Sequence, residues 1–201
     1  MTQTSSNESV LDRRNVVTQL LADRGELLVV AGLGASAWDI TAAGDDALNF
    51  PLWGGMGSAA MIGLGLAMAQ PERRVLVITG DGEMLMGLGS FATIAVQAPK
   101  NLAIVVLDNE RYGETGMQKT HTAFGTDLAG MAAAAGIATT ATLRSDADLQ
   151  AALPVIRSAD GPILHVIKIK ADTLPKVVPP KDGAYLRDRF RVALLGNAAT
   201  I

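Results

Sequence analysis

Short apolar runs recur along this chain, and a segment with helical spacing follows each of them. They are Leu27–Ala31 (LLVVA), a brief Leu48–Phe50, Val75–Thr79 (VLVIT), Ala103–Leu107 (AIVVL), the weaker Ala138–Thr142 (ATTAT) and Ile163–Ile169 (ILHVIKI). A near-continuous β-branched run suits a strand buried on both faces, which is the setting of a parallel sheet. Strands alternating with helices therefore predict an α/β fold, a doubly wound parallel sheet with helices on both faces. The expected helices are Ser9–Arg24, a short one after Ser36, Ser58–Ala69, Met84–Ala98, Leu128–Ala135, Asp146–Ser158 with Ser145 as its cap, and Tyr185–Leu195.

Ligands of such sheets bind outside the carboxyl ends of the strands. Turns rich in glycine or acid stand at those ends in the stretches 32–36, 80–83 and 108–118. The first, Gly32-Leu33-Gly34-Ala35-Ser36-Ala37, fits the G-x-G-x-x-A dinucleotide pattern. The acid that should follow about twenty residues later is missing, because that region reads NFPLWGG. The other two turns suggest a metal–diphosphate site. Asp81 follows one strand and Asn109 the next, so neighbouring strand ends bring a carboxylate and an amide oxygen together. Oxygen ligands suit Mg²⁺, which often completes its octahedron with phosphate oxygens. The amides of Gly82 and Glu83 open a helix, a natural seat for an anion. Taken singly, Asp81 reads as a helix cap and Asn109 as a turn residue; together, at paired strand ends, they read as a cation site.

Composition removes several alternatives. A net charge of −3 over 201 residues offers no electrostatic case for nucleic acid or an acidic membrane surface. With no cysteine there is no disulfide, no thiolate metal site and no cysteine nucleophile, which fits a cytoplasmic setting. The polar start MTQTSSNESV lacks an apolar signal core, and residues 1–8 are expected to be disordered. The uncharged stretch Ala47–Pro71 is long enough for a membrane span, but Asn49, Pro51 and Gly54-Gly55 interrupt it, so a helix buried on nearly all sides is expected instead. Residues 9–170 read as one α/β domain and 171–201 as a C-terminal arm with a short helix. His165 is expected in a core or edge strand, and Arg187, Arg189 and Arg191 on a solvated basic arm.

GDGEMLMGLGS followed by VVLDNERYG resembles the cofactor motif of thiamine-diphosphate enzymes, which begins GDG and ends near Asn-Asn; Asp108 stands where the first Asn is usual. The resemblance implies the thiamine-diphosphate-binding fold, with Mg²⁺ held by Asp81, Asn109 and the backbone carbonyl of Arg111. It places Gly80, Gly82, Glu83, Tyr112 and Gly113 around the cofactor, and Gly34, Ala35 and Ser36 against the diphosphate. PLWGGMG is similar to the segment that grips the aminopyrimidine, with Gly54 accepting from its amino group, Gly55 beside it and Met56 as the apolar wedge. The dinucleotide pattern is then part of this site. Within the family, NFPLWGGMGSAAMIGLGLAMAQP, GDGEMLMGLGSFATIA and DNERYGETGMQKT resemble the sulfopyruvate and phosphonopyruvate decarboxylases, and the tail PPKDGAYLRDRFRVAL resembles the former; the family's frequent proline near Lys119 is absent.

The cofactor acts as an electron sink for a 2-oxo acid losing CO₂. In the family its activation needs a glutamate from a separate pyrimidine-binding domain, and these 201 residues are expected to form one α/β domain only. The resemblance therefore implies half an active site: a cofactor-binding (β) subunit, completed by a pyrimidine-binding (α) subunit in a hetero-oligomer with a self-pairing core. The nearly uncharged helices 58–69 and 84–98 agree, since apolar surface of that extent usually marks an interface. Thr115, Gln118 and His121, in the loop after the metal motif, are candidates for contact with a small 2-oxo acid. The expected activity is decarboxylation of sulfopyruvate or a similar anionic pyruvate. The alternatives are a phosphonopyruvate decarboxylase, an acetolactate-synthase-like carboligase subunit, or a non-catalytic cofactor-binding regulatory module.

Overall fold

The computed structural model describes residues 11–200. The stretch 1–8, expected to be disordered, lies outside them. The chain runs α1 (Arg13–Leu21), β1 (Leu28–Ala31), α2 (Ala35–Ala42), β2 (Asn49–Pro51), α3 (Ala59–Ala69), β3 (Val75–Gly80), α4 (Asp81–Met86) and α5 (Ser90–Gln97). It continues with β4 (Leu102–Asp108), β5 (Arg111–Tyr112), β6 (Gln118–Lys119), α6 (Leu128–Ala134), β7 (Thr139–Leu143), α7 (Asp146–Ser158), β8 (Ile163–Lys168) and α8 (Gly183–Leu195). Six strands form one parallel sheet in the order β2-β1-β3-β4-β8-β7, while β5 and β6 pair as a small antiparallel hairpin.

Alternate residues of each central strand face opposite layers, as the pleat requires. Val29, Leu76, Ile78, Val105 and Ile167 pack against α1, α2 and α7. Val30, Val77, Ile104, Val106 and Val166 pack against α3, α5 and α6, where Phe190 of α8 also sits, edge-on to Phe50. The doubly wound sheet expected from the alternating pattern is the observed fold. His165 lies in β8 between β4 and β7, buried, and burial pushes its imidazole pKa down.

Some boundaries differ from the sequence reading, each for a local reason. The first helix begins at Arg13, not Ser9, because the Asp12 side chain caps it and Leu11 bridges to Ile169. The GDG segment is not a turn: the helix starts at Asp81 itself. The expected single helix Met84–Ala98 is two, α4 and α5, broken at Gly87-Leu88-Gly89. At that break the chain presses on the glycine loop ahead of α3, where a Cβ on Gly87 would lie 2.3 Å from the Gly57 oxygen. Ser145 caps α7 as expected, in a full capping box with Asp148.

A buried ion cluster ties α1 to α2. Asp39 has no exposed surface and accepts from Arg13 and, at 3.1 Å, from Arg14. The helix layer α3–α5–α6 is apolar outside as well as inside: Met61, Met68, Val96 and Met131 are exposed. No helix among the described residues is long and apolar enough to cross a membrane.

Candidate active site

β3 and β4 lie side by side with Gly80 opposite Leu107, so Asp81 and Asp108 leave the sheet as neighbours and Asn109 follows immediately. Asp81 opens α4 and is only 2% exposed. Its Oδ2 is met by the Thr120 hydroxyl at 2.6 Å and the Thr122 hydroxyl at 3.2 Å. The Thr122 hydroxyl also stands 2.8 Å from Asp108 Oδ1. One hydroxyl proton cannot serve both carboxylates, so this acidic corner is short of positive charge. Lys168 supplies some, reaching Asp108 Oδ2 at 2.7 Å and Glu110 at 2.9 Å. Burial works against its ammonium, but the two carboxylates outweigh that and hold its pKa above the ordinary lysine value. No ammonium or guanidinium pairs with Asp81 among the described residues. Burial, and then the neighbouring charge of Asp108, push its carboxyl up to about 6, against the pull of the threonine hydroxyls.

A buried carboxylate in this state calls for a cation. The described residues hold no cluster of three or more His, Cys, Asp or Glu able to bind a metal. A cation here would therefore take Asp81, the Asn109 amide oxygen, backbone carbonyl and oxygens of its own ligand. That donor set fits Mg²⁺, which keeps several non-protein oxygens. Asn109 Oδ1 accepts from the Arg111 amide at 2.9 Å, leaving its second lone pair free. This bend starts the β5–β6 hairpin, which lays the Tyr112 ring on Gly82: a Cβ there would come within 2.7 Å of two ring carbons.

Glu83 points away from the solvent. It is 5% exposed and accepts hydrogen bonds from the Leu33 amide, the Thr79 hydroxyl and the Ala59 amide. Burial pushes its carboxyl up while those bonds pull it down. Gly34 caps α2 at φ +79°, with Ala35 and Ser36 in the first turn. The Gly54-Gly55-Met56 loop is exposed on the same side, Gly55 at φ +68°. Trp53, next to it, stacks edge-on against Trp38 of α2 with centroids 5.3 Å apart.

Gly113, Thr115, Gln118 and His121 all lie on exposed surface. The Thr115 hydroxyl donates to Gln118 Oε1 at 3.0 Å and Gln118 Nε2 to the Thr115 carbonyl at 2.9 Å, so these two close the hairpin end. Sequence reasoning missed Thr120, Thr122 and Lys168. The threonines carry no spacing signal. Lys168 did: it is the one charged residue of the ILHVIKI run, and the register sets it opposite Asp108.

The family described as thiamine pyrophosphate enzyme, C-terminal TPP binding domain, matches residues 33–167. The sulfopyruvate decarboxylase subunit beta of Methanothermobacter thermautotrophicus is 35% identical over 181 residues, 90% of this chain and 94% of its own length. The phosphonopyruvate decarboxylase of Streptomyces viridochromogenes is 40% identical over 168 residues, 81% of this chain but 41% of its own. A solved structure from Mycobacterium smegmatis, described as a thiamin diphosphate-dependent enzyme, superposes with a TM-score of 0.70 at 25% identity, covering 82% of this chain and 32% of that one.

Proposed function

This chain belongs to the thiamine pyrophosphate enzymes, as one of their C-terminal TPP-binding domains, and on that basis we propose that it is the cofactor-binding subunit of a two-subunit decarboxylase of sulfopyruvate. The observation that carries the reading is that the likeness runs almost the full length of a β subunit. The same stretch is less than half of a phosphonopyruvate decarboxylase chain. On this reading, what the longer enzyme holds in the rest of its chain comes here from a partner subunit.

Thiamine diphosphate is the cofactor; when bound it supplies the electron sink that lets a 2-oxo acid lose CO₂. The chain's own residues bind and orient. Asp81, Asn109 and the Arg111 carbonyl would hold Mg²⁺, supported by the cation-poor pocket around Asp81. The turn Gly34–Ser36 and the amides of Gly82 and Glu83 would take the diphosphate, which suits backbone N–H groups at strand ends. Gly54–Met56 would meet the pyrimidine, and Gly80, Tyr112 and Gly113 would line the cofactor. Thr115, Gln118 and His121 would stand where substrate enters. The activating glutamate comes from a pyrimidine-binding partner, and the exposed methionine-rich layer α3–α5–α6 is the surface we assign to assembly. A cytoplasmic setting belongs to this reading.

A second reading, decarboxylation of phosphonopyruvate, is favoured by the identity to that enzyme. One experiment separates them. The chain is purified with and without a pyrimidine-domain partner, supplied with Mg²⁺ and thiamine diphosphate, and CO₂ release is followed from sulfopyruvate, phosphonopyruvate and pyruvate. We expect release from sulfopyruvate, and only with the partner. Turnover by the chain alone would refute the half-site; a preference for phosphonopyruvate would move the assignment to the second reading. Cofactor binding without turnover of any 2-oxo acid would make the chain a regulatory module.

A further inference from the structure

The Glu83 side chain enters the gap between three segments, and donors from all three converge on its carboxylate. Oε2 accepts from the Leu33 amide at 3.1 Å and the Thr79 hydroxyl at 2.9 Å; Oε1 accepts from the Ala59 amide at 3.2 Å. Leu33 belongs to the glycine turn after β1, Thr79 stands near the end of β3, and Ala59 opens α3 directly behind the Gly54–Gly57 loop. The carboxylate also fills the space in front of Gly32, where a Cβ would lie 1.8 Å from Glu83 Oε2 and 2.8 Å from the Thr79 hydroxyl.

We infer that Glu83 is a positioning residue: its side chain sets the spacing of the three segments that hold the cofactor and touches no cofactor atom itself. This deepens the proposed function, since it rests on thiamine diphosphate sitting at these strand ends. Only an acceptor with two oxygens and no proton to offer satisfies donors from three directions. A glutamine of the same shape presents an N–H pair where one oxygen was, opposite a backbone N–H, and so releases either the glycine turn or the start of α3. A buried hydrogen bond lost in this way corresponds to about a tenfold change in an equilibrium.

Two measurements on the full-length chain test this. In cofactor-free protein, amide hydrogen exchange at Leu33 or Ala59 should quicken about tenfold in E83Q, while β3 and β4 keep their protection. Unchanged exchange at both amides would overturn the inference, whatever the cofactor proves to be. Calorimetry with Mg²⁺–thiamine diphosphate should show the Kd of E83Q raised about tenfold. The double variant G32A/E83A separates positioning from packing, because the new methyl group enters the space the carboxylate leaves once the Thr79 hydroxyl, freed of its Glu83 acceptor, turns away from it. Its melting temperature should recover relative to E83A while its Kd stays high. Recovery of both would reduce Glu83 to packing and refute the proposal. If the wild-type chain with a pyrimidine-domain partner binds no thiamine diphosphate, the functional reading fails, and the exchange rates still decide the role of Glu83.

Discussion

Burial strips most of the water from the Asp81 carboxylate and the charge of Asp108 repels its ionised form, so both effects favour the proton. The consequence for stability has a definite sign. The folded pKa, about 6, lies above the ordinary 3.8, so between those values the folded chain holds a proton that the unfolded chain has released. Stability of the metal-free protein should therefore fall as pH rises from about 4 to about 6, by about 3 kcal/mol, and level off above. D81N should abolish that slope in urea denaturation and stabilise the metal-free chain at pH 7. The same variant should lose Mg²⁺-dependent cofactor binding, and in the wild type that binding should weaken below about pH 6, where the proton competes with the metal. A flat wild-type stability profile across that window would contradict the geometry described for Asp81.

Among the elements, α1 and α2 are coupled by charge as well as by packing. Asp39 answers both Arg13 and Arg14, and Arg14 also donates to the Pro175 carbonyl at 2.8 Å. Removing the carboxylate leaves the Arg13 guanidinium buried without a counter-charge. D39A should cost about 3–5 kcal/mol in equilibrium unfolding, well above the effect of a surface substitution. Helix α2 carries the Gly34 cap, so the loss should also loosen the glycine turn. The elements also differ in how plainly the sequence announces them. Strand runs such as VLVIT and AIVVL are unbroken and apolar, and Ser145 marks the start of α7; all were legible. The break between α4 and α5 was not, since it answers to a loop some thirty residues upstream, Gly57, which no local pattern reports.

For the whole molecule, the decisive feature is a helix layer with two apolar faces. Val96 is 81% exposed and Met68 55%, on helices whose opposite faces are buried against the sheet. Open apolar surface of this kind is the mark of an interface. V96E and M68E should leave secondary structure and melting temperature within about 0.5 kcal/mol of wild type in stability, as exposed substitutions do. They should, however, reduce assembly with the pyrimidine-domain partner, or self-pairing, as read by light scattering after gel filtration. Unimpaired assembly in both variants would place the interface on another face.

Chemical identity and order along the chain were enough for the sheet, its parallel strands and the two helix layers, because hydrophobic period is a local property of a polymer. The resemblance of GDG…DN to a known cofactor motif was likewise written in two short runs of adjacent residues. Thr120 and Thr122 against Asp81, Lys168 against Asp108, and Glu83 spanning Leu33 and Ala59 depend on segments 24 to 60 residues apart. Hydrogen bonds act over a few ångströms of space irrespective of separation along the backbone, so folding alone selects those partners. The turn that reads as a dinucleotide loop, GLGASA, shows the same division. Its glycines announce a close approach, and only the packed structure reveals that a glutamate carboxylate lies in front of Gly32.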